Sequence, residues 1–194
     1  KVEQVRHSFI SSYLKKMKSL LDQVKKGLDA GLYQLALFVA LCVPDICGAV
    51  ESEDGKASGE KYKAWIKQNL TEKWPDKYKD QFTPEKIYQF CCALLHQGKT
   101  KHENSTYLRI LFLEPKGLKQ KNITLNTHCC EVGTETKSMS LLIDIEQFCN
   151  DIIEATQAWI KRNETNQNFK KNYKNLIIRY PEGIEPVLGS PVIG

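Results

Sequence analysis

Nine consecutive residues, Leu35 to Val43 (LALFVALCV), carry no charge and no strongly hydrogen-bonding side chain. A segment apolar on every face is stable only when neighbours cover all of its sides, so Leu32 to Val50 is predicted to form the central helix of a bundle. Pro44 lies inside it and removes one backbone hydrogen bond, which predicts a kink beside Asp45. The run is shorter than the roughly 20 apolar residues of a membrane span, so no membrane association is expected.

The flanking segments supply the cover. Ile10, Leu14, Met17, Leu21, Val24 and Leu28 recur at alternating spacings of four and three, marking one seam along a long first helix. The polar stretch Glu51 to Gly59 reads as an exposed loop. Tyr62, Trp65, Ile66 and Leu70 then give a third helix interleaved with lysines, and Thr83 to His96 a fourth. Thr83 is placed to cap that fourth helix, Pro84 suits its first position and Gly98 its stop.

The pattern then changes. Tyr107 to Leu113, Ile123 to Leu125 and Met139 to Ile143 are short runs of β-forming residues, predicting a small antiparallel insertion at about 106–143. Asp144 with Gln147 forms a capping box, followed by a last long helix through Ile145, Phe148, Ile152, Trp159 and Ile160. The segment at about 175–194 is expected to run extended, because from Tyr180 it holds three prolines and three glycines without helical period. A chain of 194 residues can bury roughly 70% of its unfolded surface, and the expectation is a single, mainly α domain over 1–194.

Seven cysteines, an odd number set mostly among apolar residues, read as free thiols of a cytoplasmic protein, with neither disulfides nor bound metal. A net charge of +5 is below that of a dedicated nucleic-acid binder and compatible with an anionic partner.

His96 ends the fourth helix, where the dipole favours its imidazolium form. Around it the order PDICG (Pro44 to Gly48), GEKYKAW (Gly59 to Trp65), YQFCCALLHQG (Tyr88 to Gly98) and IDIEQFCNDI (Ile143 to Ile152) resembles small bacterial proteins with HEPN-type helical bundles. The HEPN signature is an arginine followed, after four to six residues, by a histidine; His96 matches it, while Cys91 stands where the arginine would be. The resemblance implies a homodimer with no cofactor, cutting RNA without metal in stress response or phage defence, alongside a protein partner such as an antitoxin. It casts His96 as catalytic; Asp45 reads either as an acid orienting that histidine or, more in keeping with its place beside Pro44, as a carboxylate bonded to the backbone that Pro44 frees. The missing arginine leaves the phosphate to Lys99, Lys101 or His102, and opens the alternative of a non-catalytic dimeric module that binds nucleotide or protein.

Other chemistries find less support in the residues. Cys91 and His96 stand about 140° apart around a helix, whereas Cys92 and His96 share a face and could form a thiol–imidazole pair. A zinc site drawn from Cys92, His96, His128, Cys129 and Cys130 lacks the usual ligand spacing. The lysines interleaved with Tyr62, Trp65, Trp74 and Tyr78 could make an RNA-stacking face, yet the same pattern arises when aromatics face the core and lysine stems border it.

Overall fold

The computed structural model describes residues 2–71, 74, 82–100, 109–116, 128–134 and 137–194, with side chains for all of these except 2–15, 134, 137 and 138. Among them α1 (Val2–Asp29), α2 (Tyr33–Glu51), α3 (Gly59–Asn69) and α4 (Pro84–Gln97) precede β1 (Ile110–Leu113), β2 (Cys130–Thr134) and β3 (Lys137–Asp144); α5 (Ile145–Asn163) and α6 (Gln167–Tyr173) follow.

α2 takes the central position its composition requires, packing against α1, α3, α4, α5 and α6. By length and composition α2 is apolar enough to cross a bilayer, contrary to the shorter run read from the sequence, but more than half of its apolar window is buried inside this fold. The helix also continues through Pro44 as one element. The α1 seam is as predicted where side chains are described: Met17, Leu21, Val24 and Leu28 are buried, and Ile10 and Leu14 lie outside that range.

Local rules set the helix ends. Ser58 caps α3 by accepting from the Lys61 N–H, Thr83 caps α4 through the Lys86 N–H, and Asp144 caps α5 through the Gln147 N–H. Gly98 closes α4 in the left-handed region (φ 63°), where its N–H and that of Lys99 return to Leu94 and Ala93 carbonyls. The last carbonyls of α1, at Leu28 and Asp29, accept from Lys116 Nζ at 2.8 and 3.0 Å.

The insertion is a mixed sheet, not the antiparallel one expected. β3 is central, with β2 antiparallel on one side and β1 parallel on the other, in register Ile110 to Leu141 and Phe112 to Ile143. A parallel neighbour needs a connection far longer than a hairpin. The chain between Leu113 and Lys137 supplies one, and β2 lies on that path. The expected strand at Ile123 to Leu125 lies outside the described residues, and β2 has no counterpart in the sequence reading.

Aromatic packing fixes α4 to the sheet and to α5. Phe90 of α4 meets Phe112 of β1 at 5.2 Å between ring centroids, and Phe112 meets Phe148 of α5 at 5.8 Å. Across the molecule the Tyr173 hydroxyl accepts from the Met17 N–H at 3.0 Å, tying α6 to α1. The C-terminal segment is not simply extended: Arg179–Tyr180 (β4) pairs with Val192–Ile193 (β7), and Gly183–Ile184 (β5) with Val187–Leu188 (β6). Short extended runs separated by turns satisfy backbone groups that one exposed strand would leave to water.

Candidate functional site

α4 presents different chemistry on its two sides. Cys91 faces the core at 2% exposure, and its thiol donates to the Leu41 carbonyl oxygen at 3.7 Å. Burial pushes that thiol up to about 12, which leaves it protonated and unreactive at neutral pH. His96, five residues on, is exposed in the last turn. Cys91 and His96 therefore do not share a cleft, and an arginine at position 91 would begin its course inside the core. Of the cationic residues named for the phosphate, Lys99 is exposed just past the helix, while Lys101 and His102 lie outside the described residues.

A second set of residues gathers on the half-buried side of α4. Tyr88, Cys92 and His96 follow one another at intervals of four, and Tyr88 lies within hydrogen-bonding reach of the Cys92 thiol, which raises the phenol above its usual value. Cys42 and Asp45 come from α2. The Asp45 carboxyl is raised by burial, and the His96 imidazolium partly offsets this, so the two sit within electrostatic range although no hydrogen bond joins them among the described residues. Cys42 is raised by burial and then by the Asp45 charge. No described residue hydrogen-bonds the Asp45 side chain, so bonding to backbone freed by Pro44 is not its role.

α3 closes this side. Tyr62 is fully buried, with its ring 5.3 Å from Tyr88, and burial lifts its phenol well above the usual value. Its hydroxyl makes no well-formed hydrogen bond with any described residue, and the Cys91 thiol is its polar neighbour. Lys63 bonds Glu60 and Glu85 at 3.0 and 3.1 Å and stands 5.8 Å above the Tyr88 ring. Gly59 is required here, because a Cβ would stand 2.6 Å from the Tyr88 hydroxyl.

Asp45 also lines a cavity of about 330 Å³ with Ile46, Ala49, Val50, Ala57, Asn172 and Leu176 among its walls. This opening, Tyr88 and Cys42 were not singled out from the sequence. The 88–92–96 spacing marks one face of α4, but what covers that face is set by α2 and α3, distant in the chain.

The remaining sequence candidates fall elsewhere. His128, Cys129 and Cys130 lie at the start of β2, where the His128 ring meets Trp74 edge-on at 6.0 Å. No three His, Cys, Asp or Glu side chains among the described residues are grouped to hold a metal ion. All seven cysteines are unpaired. Tyr62, Trp65 and Trp74 are buried, so Lys61, Lys63 and Lys67 border a core instead of a stacking platform; Lys73, Lys77, Tyr78 and Lys79 lie outside the described residues.

Comparison of the chain with protein-family models, with characterised proteins and with solved structures finds no match.

Proposed function

We propose that this chain is a HEPN-like protein acting on RNA, with His96 as the general acid/base of a slow, metal-independent endonuclease and Asp45 as its electrostatic partner. The features that support this reading are an exposed imidazole at the end of α4 and a half-buried carboxyl on α2 on which its charge acts. An imidazole so placed can take the proton of a ribose 2′-hydroxyl attacking the adjacent phosphate and return one to the leaving 5′-oxygen. Without an arginine the phosphate is gripped less well, which costs roughly 10²- to 10³-fold in rate relative to a complete motif. Lys99 is the described candidate cation for that role.

A homodimer is part of the proposal, with α4 near the two-fold axis so that each His96 faces its mate. The test is cleavage of fluorogenic oligoribonucleotides in excess chelator. The expected products end in 2′,3′-cyclic phosphate, and the activity is lost in His96→Ala and reduced in Asp45→Asn. Activity that survives His96→Ala, or its absence in a folded parent protein, overturns the proposal.

A second reading, a non-catalytic protein-binding module, draws on a different observation. Leu32, Leu35 and Phe38 are exposed, and a groove of about 490 Å³ runs between α1 and α2 beside the first two. Exposed apolar surface of this kind is typical of contact sites.

A further inference from the structure

We infer that the cavity between α2 and α6 is a binding site for a primary alkylammonium group, held by the side-chain oxygens of Asp45, Asn172 and Asn175. The inference goes beyond the RNA reading; it shares Asp45 with that reading and uses none of its chemistry. Asp45, Ile46, Ala49 and Val50 of α2 form one side of the cavity. Asn172 of α6, with Asn175 and Leu176 just beyond it, forms the other, and Gly55 and Ala57 of the loop after α2 border it. Its volume of about 330 Å³ is at the small end of ligand pockets.

Each polar side chain here has bonding capacity left over. Asp45 is half-buried, no described residue hydrogen-bonds its carboxylate, and no described lysine or arginine pairs with it. The lysines that reach this neighbourhood are engaged by other groups: Lys61 by Asp54 at 2.6 Å, Lys171 by the Glu53 carbonyl at 3.3 Å, and Lys16 by the carbonyls of Lys174 and Leu176 at 2.6 and 2.8 Å. The Asn172 Nδ2 donates to the carbonyls of Val50 and Ser52 at 3.1 and 2.7 Å and approaches that of Ala49 at 3.5 Å, a placement that only the amino end of the amide can take. Its Oδ1 therefore lies beside Gly55, where a Cβ would stand 3.1 Å from it, and accepts from no described residue. Asn175 is exposed at the rim, and its carboxamide, unbonded to any described residue, can turn its oxygen inward and leave its amino group in water.

These groups set the chemistry of the ligand. A carboxylate beside a fixed amide oxygen calls for donors, and the carboxylate calls for positive charge. The acceptors stand on opposite sides of the cavity, Asp45 on one and the two asparagines on the other. An ammonium has three donors that diverge and rotate, one for each of these side chains, whereas the donors of a guanidinium are fixed in one plane and suit a single carboxylate edge. A hard divalent cation takes six or more oxygens, which a lining otherwise apolar does not provide. Ile46, Ala49, Val50, Ala57 and Leu176 cover the methylene stem behind the charged head.

The experiment is NMR titration of the full chain with n-butylamine at fixed pH and ionic strength, against n-butanol, n-butylguanidine and N-acetyl-lysine amide. n-Butylamine should bind saturably, at least tenfold more tightly than n-butanol or n-butylguanidine, and should shift the side-chain amide resonances of Asn172 and Asn175. Asp45→Asn should weaken binding at least tenfold, and Ala57→Trp, on the exposed loop at the cavity wall, should abolish it, with circular dichroism and thermal melting showing both variants folded. Tighter binding of N-acetyl-lysine amide than of n-butylamine identifies a peptide lysine as the source of the ammonium, and the reverse identifies a free amine. No saturable binding by the parent, equal binding of n-butanol, preference for n-butylguanidine, unmoved asparagine resonances, or undiminished binding in either folded variant overturns the site. Should a variant not fold, the selectivity of the parent and its resonance shifts decide. No RNA enters the titration, so its outcome is separate from that of the cleavage assay.

Discussion

Asp151 on α5 should cost the folded protein stability at neutral pH. Its carboxylate accepts from the Trp74 indole N–H at 2.9 Å, and that indole stacks on Phe82 at 5.7 Å. Burial raises Asp151 from 3.8 to about 6; the Trp74 bond lowers it, and the charges of Glu154 and Asp144 raise it further. A folded-state value above the unfolded one means the fold binds the proton more tightly. The associated stability is complete below about pH 3.8 and is lost as pH rises through about 6. Two units at about 1.4 kcal/mol each set an upper bound of about 3 kcal/mol. The side chain is half-buried, so solvent screening reduces the expected effect to about 1–2 kcal/mol. Asp151→Asn keeps an acceptor for Trp74 and removes the charge. It should be more stable than the parent by that amount at pH 7.5, with the advantage vanishing near pH 4. Denaturant titrations followed by tryptophan fluorescence across this range provide the measurement. The variant-minus-parent difference is needed because His128, held below its ordinary value by burial, acts oppositely and loses its contribution as pH falls. A variant no more stable than the parent at pH 7.5, or an advantage independent of pH, would refute the reasoning.

Cys91→Arg should destabilise the fold by at least about 3 kcal/mol, because the guanidinium starts from a core position at 2% exposure, whereas Cys92→Arg on the half-buried face should be tolerated; thermal melts of both separate the cases. Phe148→Ala removes the ring that meets both Phe82 and Phe112 at 5.8 Å and should cost about 3–5 kcal/mol in denaturant titration. Thr83→Ala should lose about 1 kcal/mol with the α4 cap, and Thr83→Gly only a few tenths, by the same assay. Gly59→Ala should displace the Tyr88 ring from Lys63, visible as a shift of the Tyr88 resonances in NMR spectra, because the new Cβ would stand 2.6 Å from its hydroxyl.

The helices were legible in the sequence because their signals are local. Thr83, Pro84 and Gly98 bound α4 within one residue, the Asp144–Gln147 box starts α5, and the all-round apolar run placed α2 at the centre. The strand order was not legible. Whether β1 lies parallel or antiparallel to β3 depends on a connection whose path no residue in β1 records. α6 was missed because it is seven residues long, too short for a periodic signal, though Asn166 caps it. At the site, motif order named both Asp45 and His96, and how they lie relative to one another depends on the packing of α2 against α4, which no local residue records. Motif spacing failed at Cys91, since five helical residues turn a side chain from the surface into the core.

Asn172 gives the chain an order of completion. The carbonyls it binds at Val50 and Ser52 belong to the end of α2, 122 and 120 residues earlier in the sequence. During synthesis α2 leaves the ribosome capped at Ala49 by Ser52 but without the Asn172 bonds to those two carbonyls, and it stays so while the sheet and α5 are made. Asn172, Asn175 and Leu176 are also walls of the cavity beside Asp45. That cavity is therefore absent from every nascent chain that ends before Asn172, and whatever it binds is bound only by chains that already include α6. A ribosome stalled before codon 172 carries His96 and Asp45 but not the pocket between α2 and α6.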